Sequence, residues 1–386
     1  MLPSAENLDV FESAVAKWPE VVQCATITGR EDYVLRIITS DMHAFDRFLR
    51  EKLLALGIVS DFWSGGAGRR GADDMIEMVI DARRKDLGGF EVGRVLPFHS
   101  RRMVGPFIFL DQMGPAEFAP GSNAIYVRPH PHIGLSALTY LFEGEIRHHD
   151  NLGYNQIIRP GEVNWMTAGR GIVHSERTDA LKRSLGGPMH GMQAWVALPD
   201  EAQEIAPSFH HLGEEAQPSY ENGGLFARLV AGEAYGAKAA APVSSPLFYV
   251  HWELKPGVRT APPPGRSSGG MSERALYIAR GSIEIGDRTF HEGQMAVLEP
   301  QAEPTVKALT SATVMVLGGE PVGERLIWWN FVASSQARID QAKADWKAGR
   351  MSLPSEDDLE FIPLPDEPTR AQSAPSPVSP SPTDPV

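Results

Sequence analysis

The feature that most constrains the fold is a long series of short apolar runs between residues 76 and 321. The runs are rich in β-branched and aromatic residues, and turn pairs such as Pro256-Gly257 and Gly286-Asp287 separate them. A helix signal comes only near the end of these roughly 250 residues, so the pattern favours one large or two smaller β-sandwiches or barrels.

A weak internal repeat divides this region. Residues 141–146 resemble residues 278–283, and residues 159–163 resemble residues 291–295. The repeat predicts that one barrel has been duplicated. The second copy contains no His-x-His motif, so we expect only the first barrel to bind a metal.

The flanking segments have different patterns. Residues 5–63 predict a small α+β unit, with strands at 21–28 and 33–38 and a helix from an N-cap at Asp41 to a stop at Gly57. Residues 64–74 have a flexible, glycine-rich linker composition. Residues 334–348 predict an amphipathic closing helix. The Pro/Ser-rich residues 363–386 carry too few large apolar side chains to fold, so we predict a disordered tail.

Composition narrows the compartment and the partners. The formal net charge of -13 argues against a nucleic-acid surface, which needs concentrated lysine and arginine. The single cysteine, Cys24, excludes an intrachain disulfide and fits a reducing cytosol. No run of about 18 apolar residues and no signal-peptide pattern is found. We therefore expect a soluble, cytoplasmic protein without direct contacts to membrane or nucleic acid.

Two short motifs place four potential metal ligands at alternate positions of strand-like sequence. The first is His130-Pro131-His132 and the second is His174-Ser175-Glu176. Because successive side chains of a strand point to opposite faces, residues i and i+2 share one face. Two such strands in one barrel could present three imidazoles and one carboxylate to a single ion. This donor set suits iron, manganese, copper, nickel or zinc, and it leaves positions open on an octahedral ion.

Ordinary packing is the alternative for any one histidine taken alone. A lone histidine is more often a satisfied core or surface residue than a ligand, and we interpret six others in that way: His148, His149, His210, His211, His251 and His291. The paired motifs differ, because two imidazoles with a further His-x-Glu are costly to bury without a cation or charge partner. Glycines around the second motif, among them Gly169 and Gly171, would permit close backbone approach at a barrel corner.

Longer stretches around both motifs resemble one protein family. Residues 128–132 and 138–144 surround the first motif, and residues 164–176 read Asn-Trp-Met-Thr-Ala-Gly-Arg-Gly-Ile-Val-His-Ser-Glu. Further matching stretches are residues 81–90, 102–107, 113–115 and 191–196. Together they closely resemble the pirin family of the cupin superfamily, over about residues 74–350.

This resemblance implies a mainly β bicupin fold with Fe(2+) in its first barrel. The implied barrels are residues 75–200, which bind the metal, and residues 201–350, which lack ligands and include the closing helix. The residues matching the family's iron ligands are His130, His132, His174 and Glu176. Many cupins take their carboxylate from a position just after His-x-His, where this chain has Ser136, so we give Ser136 no ligand role. The same ligands also accept other divalent transition metals.

Two functions remain open from the resemblance. Pirins include proteins with quercetin 2,3-dioxygenase activity, which implies oxidation of a small phenolic substrate, with Glu176 as ligand alone or also as catalytic base. Tyr140, Phe142, Trp165 and Met166 could line an aromatic pocket, although core packing is the commoner use of such residues. The alternative is an iron-dependent regulatory protein that modulates a transcription factor or a metabolic enzyme. We favour the dioxygenase.

The N-terminal segment resembles a different family. Residues 26–37 and 45–49 resemble the effector-binding domain of Lrp/AsnC-type transcription regulators, most specifically in Thr28-Gly29-Arg30-Glu31-Asp32-Tyr33. The resemblance implies a truncated ferredoxin-like segment that lacks its first strand. The helix-turn-helix expected upstream is absent, which argues against sequence-specific DNA binding. Since such domains dimerise, we predict self-association through residues 5–63.

Overall fold

The computed structural model describes residues 10–11, 13–27, 32–37, 44, 47–56, 75–86, 90–122, 125–267 and 270–365. Residues 28–31, the predicted cap at Asp41 and stop at Gly57, and the linker at 64–74 lie outside these ranges. Of the predicted tail, only residues 363–365 are described. No helix among the described residues is long and apolar enough to cross a membrane.

The N-terminal segment forms a small α+β unit. Strands β1 (Val21–Ile27) and β2 (Asp32–Ile37) pair in antiparallel fashion, which confirms the two predicted strands. A π-helical turn at Leu49–Leu53 and a 3-10 turn at Leu54–Leu56 follow. The core of the unit contains Phe11, Val15, Phe48 and Leu53. Apolar side chains of the hairpin pack against this core.

Antiparallel strands joined by tight turns make up the next region. They are β3 (Ile76–Asp81), β4 (Arg83–Asp86), β5 (Glu91–Leu96), β6 (Phe107–Phe118), β7 (Tyr126–His132), β8 (Leu135–Glu143), β9 (Ile146–Asp150), β10 (Asn155–Ile158), β11 (Val163–Thr167), β12 (Ile172–Arg177), β13 (Gly187–Ala197) and β14 (Ser208–Leu212). A short helix, α1 (Ala180–Leu185), precedes β13. The first barrel consists of a four-stranded sheet, β10-β9-β12-β7, and a seven-stranded sheet, β14-β11-β8-β13-β6-β5-β4.

A second barrel follows and confirms the predicted duplication. Its region contains β15 (Ser219–Asn222), β16 (Leu225–Ala234), β17 (Ala237–Lys238), β18 (Leu247–Leu254), β19 (Arg259–Thr260), β20 (Arg266–Ser267), β21 (Gly270–Met271), β22 (Glu273–Arg280), β23 (Ser282–Ile285), β24 (Arg288–His291), β25 (Gln294–Leu298), β26 (Val306–Ala308) and β27 (Ala312–Gly319). An eight-stranded sheet, which includes β15-β16-β18-β27-β22-β25-β3, faces the four-stranded sheet β19-β26-β23-β24.

The two barrels share strands and a core. Residues 75–200 were expected to form the first barrel. Strand β3 lies within this range but pairs with β25 in the sheet of the second barrel. Strand β14, beyond residue 200, pairs with β11 of the first barrel. The largest buried cluster combines residues of both barrels, such as Leu138 and Trp165 with Val230 and Leu317. Apolar packing between the large sheets therefore holds the barrels together.

The C-terminal elements cover one side of the first barrel. Strands β28 (Leu326–Trp328) and β29 (Phe331–Ala333) form a hairpin before helix α2 (Gln336–Lys347), which confirms the predicted closing helix. The Ser335 hydroxyl caps α2 by accepting from the Arg338 N–H at 3.3 Å. Ile339, Ala342 and Trp346 form its buried face. They pack against Ile133 and Val173, which adjoin the two predicted ligand motifs.

Candidate metal centre

Neighbouring strands of the four-stranded sheet carry the two predicted ligand motifs. The backbones of β7 and β12 pair so that His174 lies opposite His130, and Ile172 lies opposite His132. The register shifts between His174 and Glu176. Pro129 and Pro131 on β7 have no N–H for the ladder, a feature that is typical of irregular or edge strand positions.

A close approach of backbone at Gly169 precedes β12. Gly169 adopts φ +51°, and its carbonyl accepts from the N–H of Gly134 at 2.9 Å. A Cβ at this position would lie 2.1 Å from the Ile205 carbonyl oxygen. The sequence-based expectation of close backbone approach beside the second motif is therefore met at Gly169.

Three of the four predicted ligands converge inside the first barrel. The ligand nitrogens of His130, His132 and His174 all lie within 4.8 Å of one another. Among the described residues, these three form the one group of three or more potential metal donors. The three side chains are buried, with exposed fractions of 7%, 1% and 2%. All three donors belong to the first barrel.

The surroundings keep these imidazoles neutral. Burial lowers the pKa of His130 to about 4, against a hydrogen bond to the Arg128 carbonyl that raises it. Burial also holds the pKa values of His132 and His174 well below the ordinary value, and the neighbouring imidazoles add to this effect. At neutral pH each ring therefore keeps one nitrogen lone pair for an electrophile.

Hydrogen bonds fix which nitrogen of two rings remains available. Nδ1 of His130 donates to the Arg128 carbonyl at 2.8 Å, and Nδ1 of His132 donates to the Asn330 carbonyl at 3.1 Å. A carbonyl can only accept, so Nε2 of both rings carries the lone pair. Asn330 lies in the β28–β29 turn, next to Trp329 at the unusual φ of 51°.

The spacing of these nitrogens fits a metal ion. Nε2 of His132 and Nε2 of His174 are 3.1 Å apart. Two nitrogens bound at right angles, with metal–nitrogen bonds of about 2.1 Å, would be separated by about 3.0 Å. Tethered Nδ1 atoms and converging Nε2 atoms are also typical of histidine ligands. The group can therefore hold a divalent ion of the kind that imidazole favours.

Glu176 lies outside this close group of nitrogens. Its carboxylate contacts the Thr139 hydroxyl at 3.3 Å, and the same hydroxyl donates to Gln193 Oε1 at 2.8 Å. Burial raises the pKa of the Glu176 carboxyl, and the Thr139 hydrogen bond offsets this only in part. A carboxyl group in this environment takes up a proton more readily than an exposed glutamate does.

The sequence interpretation missed His148. Nδ1 of His148 lies 3.4 Å from Nδ1 of His174, and Nε2 of His148 lies 2.9 Å from an Asp150 carboxylate oxygen. Both His148 and Asp150 are buried, and the His148 ring stacks on Phe209 at 4.2 Å. The signal was present in the sequence, since His148 and Asp150 form another pair at i and i+2 on a strand.

The expected aromatic lining is partly wrong. Tyr140 and Trp165 belong to the core between the barrels, and the Tyr140 hydroxyl contacts His251 of the second barrel at 2.9 Å. Alternation along β8 and β11 explains this, because these side chains point away from the histidines. Met166 instead faces the interior of the first barrel. There Trp195 packs edge-to-face on His132, with ring centroids 5.0 Å apart.

A cavity of about 360 Å³ lies behind the ligand strands. Its walls include Ile133, Asn151 and Gly171 beside those strands, and Arg338 and Asp345 of α2. None of the four predicted metal ligands lines it. The cavity therefore belongs to the face that α2 covers, separate from the histidine group.

Two linked β-barrels, one of which contains a buried histidine group that could hold a divalent metal ion, define a protein of the bicupin class. The pirin family model matches residues 89–196, and the model of the pirin C-terminal cupin domain matches residues 249–352. The chain belongs to the pirin family. Residues 2–64 match the Lrp/AsnC ligand binding domain, which confirms the resemblance of the N-terminal segment.

Individual relatives agree with this assignment. A pirin-like protein of Caulobacter vibrioides is 65% identical over 294 residues, which cover 76% of this chain and all of that protein. A Pseudomonas aeruginosa protein provisionally named quercetin 2,3-dioxygenase is 37% identical, over 70% of this chain and 83% of that one. The crystal structure of a quercetin 2,3-dioxygenase from Acinetobacter baumannii superposes with a TM-score of 0.70 at 30% identity, over 78% of this chain and 98% of that one.

Proposed function

We propose that this chain is an iron-dependent dioxygenase that oxidises a flavonol or a related phenol. The observation that carries the proposal is the group of three buried, neutral histidines with converging Nε2 atoms. The similarity of the chain to proteins named quercetin 2,3-dioxygenase supports the proposed substrate class. In this proposal His130, His132, His174 and Glu176 hold Fe(2+).

Glu176 is proposed to accept the phenolic proton of the substrate. A divalent ion held by three imidazoles and one carboxylate would have a net charge of about +1 and would favour the phenolate form of a substrate. The Thr139 hydroxyl, 3.3 Å from the Glu176 carboxylate, holds this group in place to act as a proton acceptor. Once Glu176 is protonated, it can donate to the Thr139 oxygen while Thr139 donates to Gln193.

The decisive experiment is oxygen uptake after anaerobic loading with Fe(II). The substrates are quercetin and a panel of other flavonols and phenols. We expect oxygen uptake with at least one of them. The His132→Ala, Glu176→Ala double variant should consume oxygen no faster than a sample without protein. Glu176→Gln keeps the side-chain shape but cannot accept the proton. We expect it to slow turnover by about 10²- to 10⁴-fold. The metal content of each variant is measured alongside, so that loss of metal is separated from loss of the base.

A regulatory function is the second candidate, and one observation favours it. The three histidines are almost fully buried, and the cavity behind their strands contains none of them. A protein that reports the state of its iron to a partner needs no open path to the metal. Stoichiometric iron without oxygen uptake on any phenol would favour this function over the dioxygenase.

A further inference from the structure

His174 differs from the other two histidines in how its Nδ1 is held. His130 and His132 each donate to a backbone carbonyl, whereas Nδ1 of His174 faces Nδ1 of another imidazole, His148, at 3.4 Å. Either of these two nitrogens could carry the proton. The choice matters, because a proton on Nδ1 of His174 leaves Nε2 free for a metal, and the other tautomer blocks it.

Asp150 decides between the two tautomers. One of its carboxylate oxygens, Oδ1, accepts from the N–H groups of Leu152 at 2.9 Å and Tyr154 at 3.1 Å. The other, Oδ2, faces Nε2 of His148 at 2.9 Å. Because a carboxylate only accepts, Nε2 of His148 must donate, and Nδ1 of a neutral His148 is then an acceptor. His174 must therefore donate from its own Nδ1.

We propose that His148 and Asp150 are positioning residues that fix the tautomer of His174, so that its Nε2 is presented to the metal. This inference rests on the metal site of the proposed function and adds two residues that do not themselves contact the ion. Burial of all three side chains excludes water as a competing partner. Residues that orient a ligand in this way affect metal affinity by roughly 10- to 100-fold.

Asp150→Asn is the sharpest test, because the structure dictates the orientation of the new amide. The two backbone N–H groups hold its carbonyl oxygen at the Oδ1 position, which puts the NH₂ group against Nε2 of His148. His148 must then accept at Nε2 and donate from Nδ1, so the proton of His174 moves to the metal-facing Nε2. The turn itself is preserved, since asparagine supports the same backbone hydrogen bonds.

The measurement is the dissociation constant of the full-length protein for Ni(II), obtained by competition with a chelator. We expect Asp150→Asn to raise this constant by roughly 10- to 100-fold. In a His148→Phe background, which retains a ring to stack on Phe209, Asp150→Asn should change it less than about threefold. Asp179→Asn, which removes a carboxylate that pairs with Arg147 on the same sheet, serves as the matched control and should bind as the unaltered protein does.

The proposal would be overturned if Asp150→Asn and the unaltered protein bound Ni(II) equally well. It would also be overturned if Asp150→Asn weakened Ni(II) binding by the same factor in the His148→Phe background as in the unaltered protein. If Asp150→Asn does not fold, ¹⁵N spectra of the metal-free, histidine-labelled unaltered protein decide. A proton on Nδ1 of His174 and on Nε2 of His148 supports the proposal, and a proton on Nε2 of His174 refutes it. Failure of the unaltered protein to bind Ni(II) would instead refute the metal site of the proposed function.

Discussion

His190, outside the metal centre, makes stability depend on pH in a way that can be calculated. It is 1% exposed on β13, and Nε2 of His190 accepts from the Gln112 amide at 2.9 Å. The orientation of that amide is fixed, because its oxygen accepts from the Tyr277 hydroxyl and its nitrogen also donates to the Ala279 carbonyl. Burial, reinforced by the Arg280 guanidinium, lowers the pKa of His190 to about 4.

The sign and size of the effect follow from linkage. An unfolded histidine has a pKa of about 6.5, so between pH 6.5 and pH 4 the unfolded chain binds the proton that folded His190 refuses. The stabilisation is complete above pH 6.5 and is lost progressively as the pH falls towards 4. Between pH 7 and pH 5 this single group should cost about 2 kcal/mol of unfolding free energy.

His190→Gln removes the titration and keeps an acceptor for Gln112. Urea unfolding at pH 7 and pH 5 measures the loss of stability in each protein. The unaltered protein should lose about 2 kcal/mol more than His190→Gln over this interval. Replacing the exposed His291 by glutamine is the control and should leave the pH dependence unchanged. Equal losses in His190→Gln and the unaltered protein would refute the reasoning.

Three further predictions concern the metal, the N-terminal segment and the C-terminal residues. The His132→Ala, Glu176→Ala double variant should contain almost no iron by elemental analysis, and wild-type content would rule out the proposed ligands. The full-length chain should show a larger assembly in light scattering than a chain beginning at Met75, and assemblies with the same number of chains would exclude self-association through residues 5–63. Burial alone would raise the pKa of Asp357, but hydrogen bonds from Arg177 and a neighbouring serine hold that pKa below its usual range. The ion pair between Asp357 and Arg177 therefore stabilises the fold above about pH 4, and this stabilisation is lost at lower pH. Asp357→Asn should therefore lower the melting temperature at pH 7 and have little effect at pH 2, and an equal effect at both pH values would contradict an ionic origin.

Predictions from local patterns were confirmed where a pattern carries its own geometry. Alternation along a strand placed His130 and His132 on one face, and apolar spacing predicted an amphipathic closing helix, which the structure shows as α2 with Ile339 and Trp346 buried. These inferences needed only the periods of strand and helix. The same alternation would have identified His148 and Asp150, but a single pair without a second motif gave no reason to choose it.

Partners across a sheet or between barrels could not be predicted in this way. The register of β3 against β25 and the Asn330 carbonyl beside His132 depend on contacts between distant parts of the sequence. The face occupied by Tyr140 also depended on tertiary structure, because both sides of the seven-stranded sheet are apolar. One faces the barrel interior and the other faces the second barrel. A strand buried on both faces gives no sequence signal of which side is which.

The sequence by itself therefore determined the duplicated β architecture, the family and the residues able to ligate a metal, since each is encoded in local motifs and their spacing. Only the tertiary structure decided which nitrogen each histidine presents, because the tautomer depends on the hydrogen-bond partner of the opposite nitrogen. Those partners come from Arg128, Asn330 and His148, which fold to the same point from three separate parts of the chain.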